Sequence, residues 1–182
     1  MFLPANYKIP KQDSIFMKFK QGANNFRVIT DVTLGYEYWN VNSKPVRMRE
    51  MPDHQPEDLG TNDDGTLSSI KHFWAFFVID REDEEIKLLI ITQTGIMGQI
   101  NDLLTSIDWD DPKDYDLTVM KKGEGKESRY SVQPSPKEQL TTKESALIEK
   151  TELGTDKLVF GTRKSEDEEV TDEEIAIENV SF

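Results

Sequence analysis

The chain has no cysteine among its 182 residues. That excludes disulfides, cysteine-ligated zinc and thiol nucleophiles, and it is compatible with a reducing compartment. Histidine is nearly absent too. His54 and His72 are the only two, which leaves little for imidazole-based catalysis, and His72 falls mid-strand. There is no phosphate-cradling glycine loop and no zinc signature. Asp108, Asp110, Asp111 and Asp114 form a carboxylate run, but their spacing is not that of a calcium loop and no glutamate closes it. No cofactor, metal site or catalytic residue is expected, and the chain reads as non-enzymatic. No run approaches eighteen apolar residues, and the N-terminal stretch has no apolar signal core. A soluble, cytoplasmic protein is the expectation.

The last eighteen residues lack a charge of one sign altogether. Residues 165–182 carry eight carboxylates and no Lys or Arg, and they end on Phe182. Such a block cannot bury enough apolar surface to offset its ordering entropy, so a disordered tail is expected. A tail serving solubility alone has no use for an apolar tip. Asp172, Glu173, Glu174, Ile177 and Phe182 therefore read as a partner-binding tip that suits a basic pocket on another protein. The tail accounts for most of the net charge of −13, leaving −5 for residues 1–164. Any anion-binding surface must come from a local cationic strip.

Ahead of the tail, Pro4 and Pro10 make residues 1–15 an irregular arm. Residues 16–137 read as one mainly β domain, and residues 138–164 as a linker with a short helix near 143–152. Phe16–Lys20, Phe26–Thr30 and Gly35–Val41 alternate and are rich in β-formers; together they give a long curved first strand. Residues 50–69 form a long polar loop. A hairpin follows, from Lys71–Asp80 to Ile86–Thr92, apolar on both faces. Thr94 is the expected N-cap of a helix whose stripe runs Ile96, Ile100, Leu103, Ile107. A second hairpin joins Asp116–Lys121 to Arg129–Val132. One helix between strands three and four of five is the order of a five-stranded OB-fold barrel.

Two sets of side chains suit single-stranded nucleic acid, which is held by base stacking on aromatics beside a cationic track. The aromatics are Tyr38, Trp39 and Trp74. The cations are Lys18, Lys20, Arg47, Arg49, Lys71, Lys121, Lys122, Lys126 and Arg129. The alternative for the rings is burial in the core, which is preferred for Phe76 and Phe77. The alternative for the cations is an ordinary solvated face.

Several short motifs carry a resemblance: Met17-Lys18-Phe19-Lys20-x-Gly22-x-Asn24-x-Phe26-Arg27-Val28, Gly35-Tyr36-Glu37-Tyr38-Trp39, Lys44-Pro45-Val46-Arg47 and Lys71-His72-Phe73-Trp74-Ala75-Phe76. This stretch resembles the single-stranded DNA-binding proteins of tailed bacteriophages. The tail is similar in design to those of bacterial and phage T7 single-stranded DNA-binding proteins. The resemblance implies an OB-fold and sequence-independent binding of single-stranded DNA in an infected bacterial cell. It also implies roles in replication, recombination and repair, with the tail recruiting a polymerase, primase-helicase or nuclease. Self-association into a homo-oligomer is compatible with it. Two rival readings remain: an acidic protein-interaction adaptor or DNA mimic that binds no DNA, and a metal-dependent nuclease using the 108–116 carboxylates.

Overall fold

A computed structural model of the chain describes residues 15–161. The tail with its partner-binding tip, and all but the last residue of the N-terminal arm, lie outside these described residues. The strands are β1 (Phe16–Met17), β2 (Gly22–Val28), β3 (Thr33–Trp39), β4 (Pro45–Met48), β5 (Lys71–Asp80), β6 (Glu85–Ile91), β7 (Asp116–Lys122) and β8 (Arg129–Pro134). The helices are α1 (Thr94–Leu104), α2 (Thr142–Lys150) and α3 (Thr155–Phe160). Among the described residues, no helix is long and apolar enough to cross a membrane.

The protein is mainly β, as expected, but its sheet is mixed, eight-stranded and open. The path runs β1-β6-β5-β2-β7-β8, with β3 and β4 branching from β5. The expected five-stranded barrel is not closed by hydrogen bonds, because no ladder joins the two ends of that path. Helix α1 packs there instead, and its Gln99 treats β8 as a strand would. The Gln99 amide donates to Tyr130 O at 3.2 Å and accepts from Val132 N–H at 2.8 Å. Two backbone groups on a sheet edge are satisfied in this way.

The long curved first strand is divided in two. β2 pairs with the C-terminal half of β5 (Phe26 opposite Asp80), and β3 pairs with its N-terminal half (Thr33 opposite Ala75). Between them the Thr30 hydroxyl accepts from Phe77 N–H at 2.9 Å, replacing a ladder bond where the chain bends. β2 starts at Gly22, and Lys18–Lys20 is an irregular loop rather than strand.

Side-chain alternation along β5 builds two cores. Phe76 and Val78 point inward with Phe26, Leu89, Ile91, Leu117, Val119 and α1's Ile96, Met97 and Ile100. Phe73, Ala75 and Phe77 face the other way and are covered by Val159 of α3, with Phe160 and Leu153 beside it. The second apolar face of the hairpin is therefore covered by residues 153–160 of the same chain. Residues 138–150 are held on this outer face by charge. Asp116 accepts from Arg27 Nε at 2.6 Å and from Arg81 Nε at 2.8 Å, and Arg81 also pairs with Glu144. Arg27 Nη1 donates to Glu138 O at 2.9 Å.

Helix α1 departs from expectation at both ends. Thr94 is its first residue, and Gln93 precedes it without a side-chain cap bond. The helix stops at Leu104, so Ile107 falls outside the stripe and is fully exposed. α2, by contrast, starts on a complete capping box between Thr141 and Glu144.

Candidate nucleic-acid interface

The residues singled out in the sequence fall on two projections from the sheet. The first is an arm formed by β3, β4 and the start of β5. Its register places Glu37 opposite both Arg47 and Lys71, and Trp39 opposite Pro45. Alternation then puts Trp39, Arg47 and Lys71 on one face, with Arg49 two residues past Arg47 on the same side. Tyr36, Tyr38, His72 and Trp74 fall on the opposite face. A single platform made of Tyr38, Trp39 and Trp74 is therefore ruled out by the pleat.

The three rings also differ in access. Trp39 is 48% exposed, whereas Tyr38 is 6% exposed and closed to a base. The 50–69 segment folds back over Tyr38. Leu59 is buried there, and the Tyr38 hydroxyl donates to Asp58 at 2.7 Å. That bond, with burial, raises the Tyr38 phenol above its ordinary range. Trp74 is half-buried against α1 and the inner core. Close packing sets the arm's base. A side chain at Gly35 would meet the Phe73 ring at 2.5 Å and Met48 O at 2.8 Å, so only glycine lets β3 cross β5 there.

The second projection is the β7–β8 hairpin, carrying Lys121, Lys122, Lys126 and Arg129. Lys122 and Arg129 are directly opposed and share one face; Lys121 and Tyr130 share the other. The hairpin tip approaches the arm: Lys126 Nζ lies 3.8 Å from Asp64 in the 50–69 segment. At the hairpin's other flank runs the loop carrying Lys18 and Lys20. Asn24 positions this loop. Its side chain accepts from Lys20 N–H at 2.8 Å and donates to Lys20 O at 2.9 Å and Val119 O at 3.0 Å. Gln21 adds a bond to Gly123 O in the hairpin turn. Sequence reasoning gives Asn24 no role; the signal for it is an amide two residues after a glycine at the mouth of a strand.

The cations are not equally available. Lys18, Lys71, Lys121, Lys122 and Arg129 have no ion pair among the described residues. Lys20 pairs with Glu82 at 2.5 Å, but both are well exposed, and such a pair exchanges readily with solvent or a phosphate. Arg49 pairs with Asp156 at 2.9 Å and stacks on Phe160, 4.5 Å from the ring centre. Arg47 is committed to Glu37 at 3.0 Å, with both side chains largely buried. Its role is to hold the arm together.

This geometry meets a similarity in sequence. The chain is similar to a protein of Escherichia phage T5 named "Probable ssDNA-binding protein", with 26% identity over 139 aligned residues. The match covers 65% of this chain and 54% of that protein, so the chain spans about half the length of the relative. No family model matches the chain, and no solved structure matches it.

The carboxylates of residues 108–114 are arranged differently from a metal cage. Asp111 accepts from Lys113 N–H at 2.9 Å and opens a short 3-10 turn, Pro112–Asp114. Lys113 reaches across to Asp31 at 2.6 Å, which holds the Asp31 carboxyl below its usual range. Among the described residues, no group of three or more His, Asp or Glu side chains comes together as a metal site.

Proposed function

We propose that the protein binds single-stranded DNA without regard to sequence and without chemistry of its own. The observation that carries this is the convergence of the arm and the β7–β8 hairpin. An exposed Trp39 shares a face with Arg49 and Lys71, and the hairpin supplies Lys121, Lys122 and Arg129, which have no ion pair among the described residues. Stacking on such a ring with phosphates neutralised nearby is the general mode of single-strand recognition. The name of the phage T5 relative supports the same reading. A partly open OB-type barrel fits a sheet path whose β8 end is covered by α1. On this reading the protein serves DNA replication, recombination or repair in the cytoplasm of an infected bacterium. Asp172, Glu173, Glu174, Ile177 and Phe182 then recruit a polymerase, primase-helicase or nuclease.

A gel shift with labelled oligo(dT), with and without Mg²⁺, tests it. Shift without cleavage supports the proposal. The net charge of −13 favours one rival, an acidic adaptor or DNA mimic, which predicts no shift; cleavage in Mg²⁺ would indicate a nuclease. The tail's part is tested by deleting residues 166–182. Single-strand binding should tighten at low salt, because a tethered polyanion at roughly millimolar effective concentration competes for the cations. Stimulation of a cognate replication protein should be lost. Unchanged binding and stimulation would reduce the tail to a solubility device.

A further inference from the structure

One largely apolar concavity among the described residues plays no part in the proposed DNA surface. It is a cleft of about 420 Å³ between α1, the start of β3 and the Pro112–Asp114 turn. Trp74 and Phe76 line it, and Val32, Leu34 and Leu104, three of the large apolar side chains left exposed, stand around it. Its rim is acidic: Asp31, Asp110 and Asp111 face a single cation, Lys113. Lys113 pairs with Asp31 and Asp111, which leaves the rim with a net negative charge; exposed apolar surface with such a rim suits a segment of opposite sign.

Two segments of the chain lie outside the described residues, and charge separates them. The C-terminal one is strongly acidic and would be repelled by this rim. Residues 1–14 carry Phe2, Leu3, Tyr7 and Ile9 with Lys8 and Lys11, against a single Asp13. Fourteen residues reach about 45 Å when extended, while a folded body of this size has a radius of gyration of roughly 15 Å. The cleft is thus within reach from Ile15. We infer that residues 1–14 dock in this cleft of their own chain, with apolar side chains on Trp74 and Leu34 and Lys8 and Lys11 on the carboxylate rim.

The absence of native cysteine makes disulfide trapping unambiguous. The full chain is given Asn6→Cys with Asn101→Cys, an exposed α1 residue lining the cleft, and oxidised with copper phenanthroline. Asn6→Cys with Val41→Cys, on the β3–β4 turn, is the control, and Asn6→Cys with Asp31→Cys is a second cleft pair should Asn101→Cys disturb α1. An intramolecular disulfide is expected about tenfold faster or more in the cleft pairs than in the control, as docking raises local concentration above that of a free tether. Adding Lys8→Glu and Lys11→Glu should return the rate to control. Equal rates in cleft and control pairs would overturn the inference. So would a disulfide forming between chains at a rate that rises with protein concentration, which would assign the cleft to a second copy.

Discussion

The sheet body and the arm use the same residue types to opposite ends. In the body, Phe73 and the unbroken run Ala75, Phe76, Phe77, Val78 and Ile79 lie along β5 and are almost wholly buried. In the arm, Trp39, Val41, Met51 and Leu67 stay at the surface. The body's charges are likewise consumed internally: Lys87 pairs with Asp80 at 2.8 Å across the β5–β6 hairpin, and Arg81 holds both Asp116 and Glu144. On the arm and the β7–β8 hairpin, several cations have no ion pair among the described residues. An apolar or charged residue type therefore says little about its role; what its neighbours leave unsatisfied says more. Substitutions in the body should cost stability and spare affinity, and those on the projections should do the reverse.

The sharpest break should come from Phe76→Ala, which empties part of the inner core. It should cost about 3–5 kcal/mol in denaturant unfolding, with oligo(dT) affinity of the folded fraction unchanged. Next comes the outer-face charge network. Burial alone would push the Glu144 carboxyl up, but the Thr141 N–H and Arg81 outweigh it and bring it down to about 2. A carboxyl depressed in the folded state stabilises above its unfolded value of 4.5 and loses that contribution as pH falls toward 2. Wild type should therefore exceed Glu144→Gln by on the order of 3 kcal/mol near neutrality, and the two should converge through that acid window. Parallel curves would place the stabilisation elsewhere.

On the arm, Trp39→Ala should weaken oligo(dT) binding by about 1–3 kcal/mol while changing stability by less than about 0.5 kcal/mol. Trp74→Ala, on the opposite face and packed on α1, should show the reverse order of effects. On the hairpin, Lys122→Ala should lower the slope of log affinity against log salt by about 0.7, the share of one phosphate contact on a single strand. An unchanged slope would remove that residue from the interface.

Part of this division is legible in the sequence. The hairpins and α1 announced themselves by period, because two-sided burial of β5 demands an unbroken apolar run. The facing of Trp39 against Tyr38 followed from the pleat alone. The partition of burial did not, because it depends on contacts distant in sequence. Tyr38 is closed by Asp58 from the 50–69 segment, and Arg47 is claimed by Glu37 on the neighbouring strand. Ile107 illustrates the limit of periodicity: it sits at helical spacing from Ile100 and Leu103, but the helix has ended three residues before it. Barrel closure was illegible for a similar reason: α1 lies beside β8 through contacts distant in sequence, among them the Gln99 bonds to Tyr130 and Val132.

The most direct test is a titration of oligo(dT) into the full-length chain at fixed low salt, followed by tryptophan fluorescence in wild type, Trp39→Ala and Trp74→Ala. Quenching should occur in wild type, persist in Trp74→Ala and be largely lost in Trp39→Ala, where the ring that meets the base is gone. Quenching lost in Trp74→Ala but retained in Trp39→Ala, or absent from the wild type altogether, would contradict the assignment of the DNA surface to the outer face of the arm.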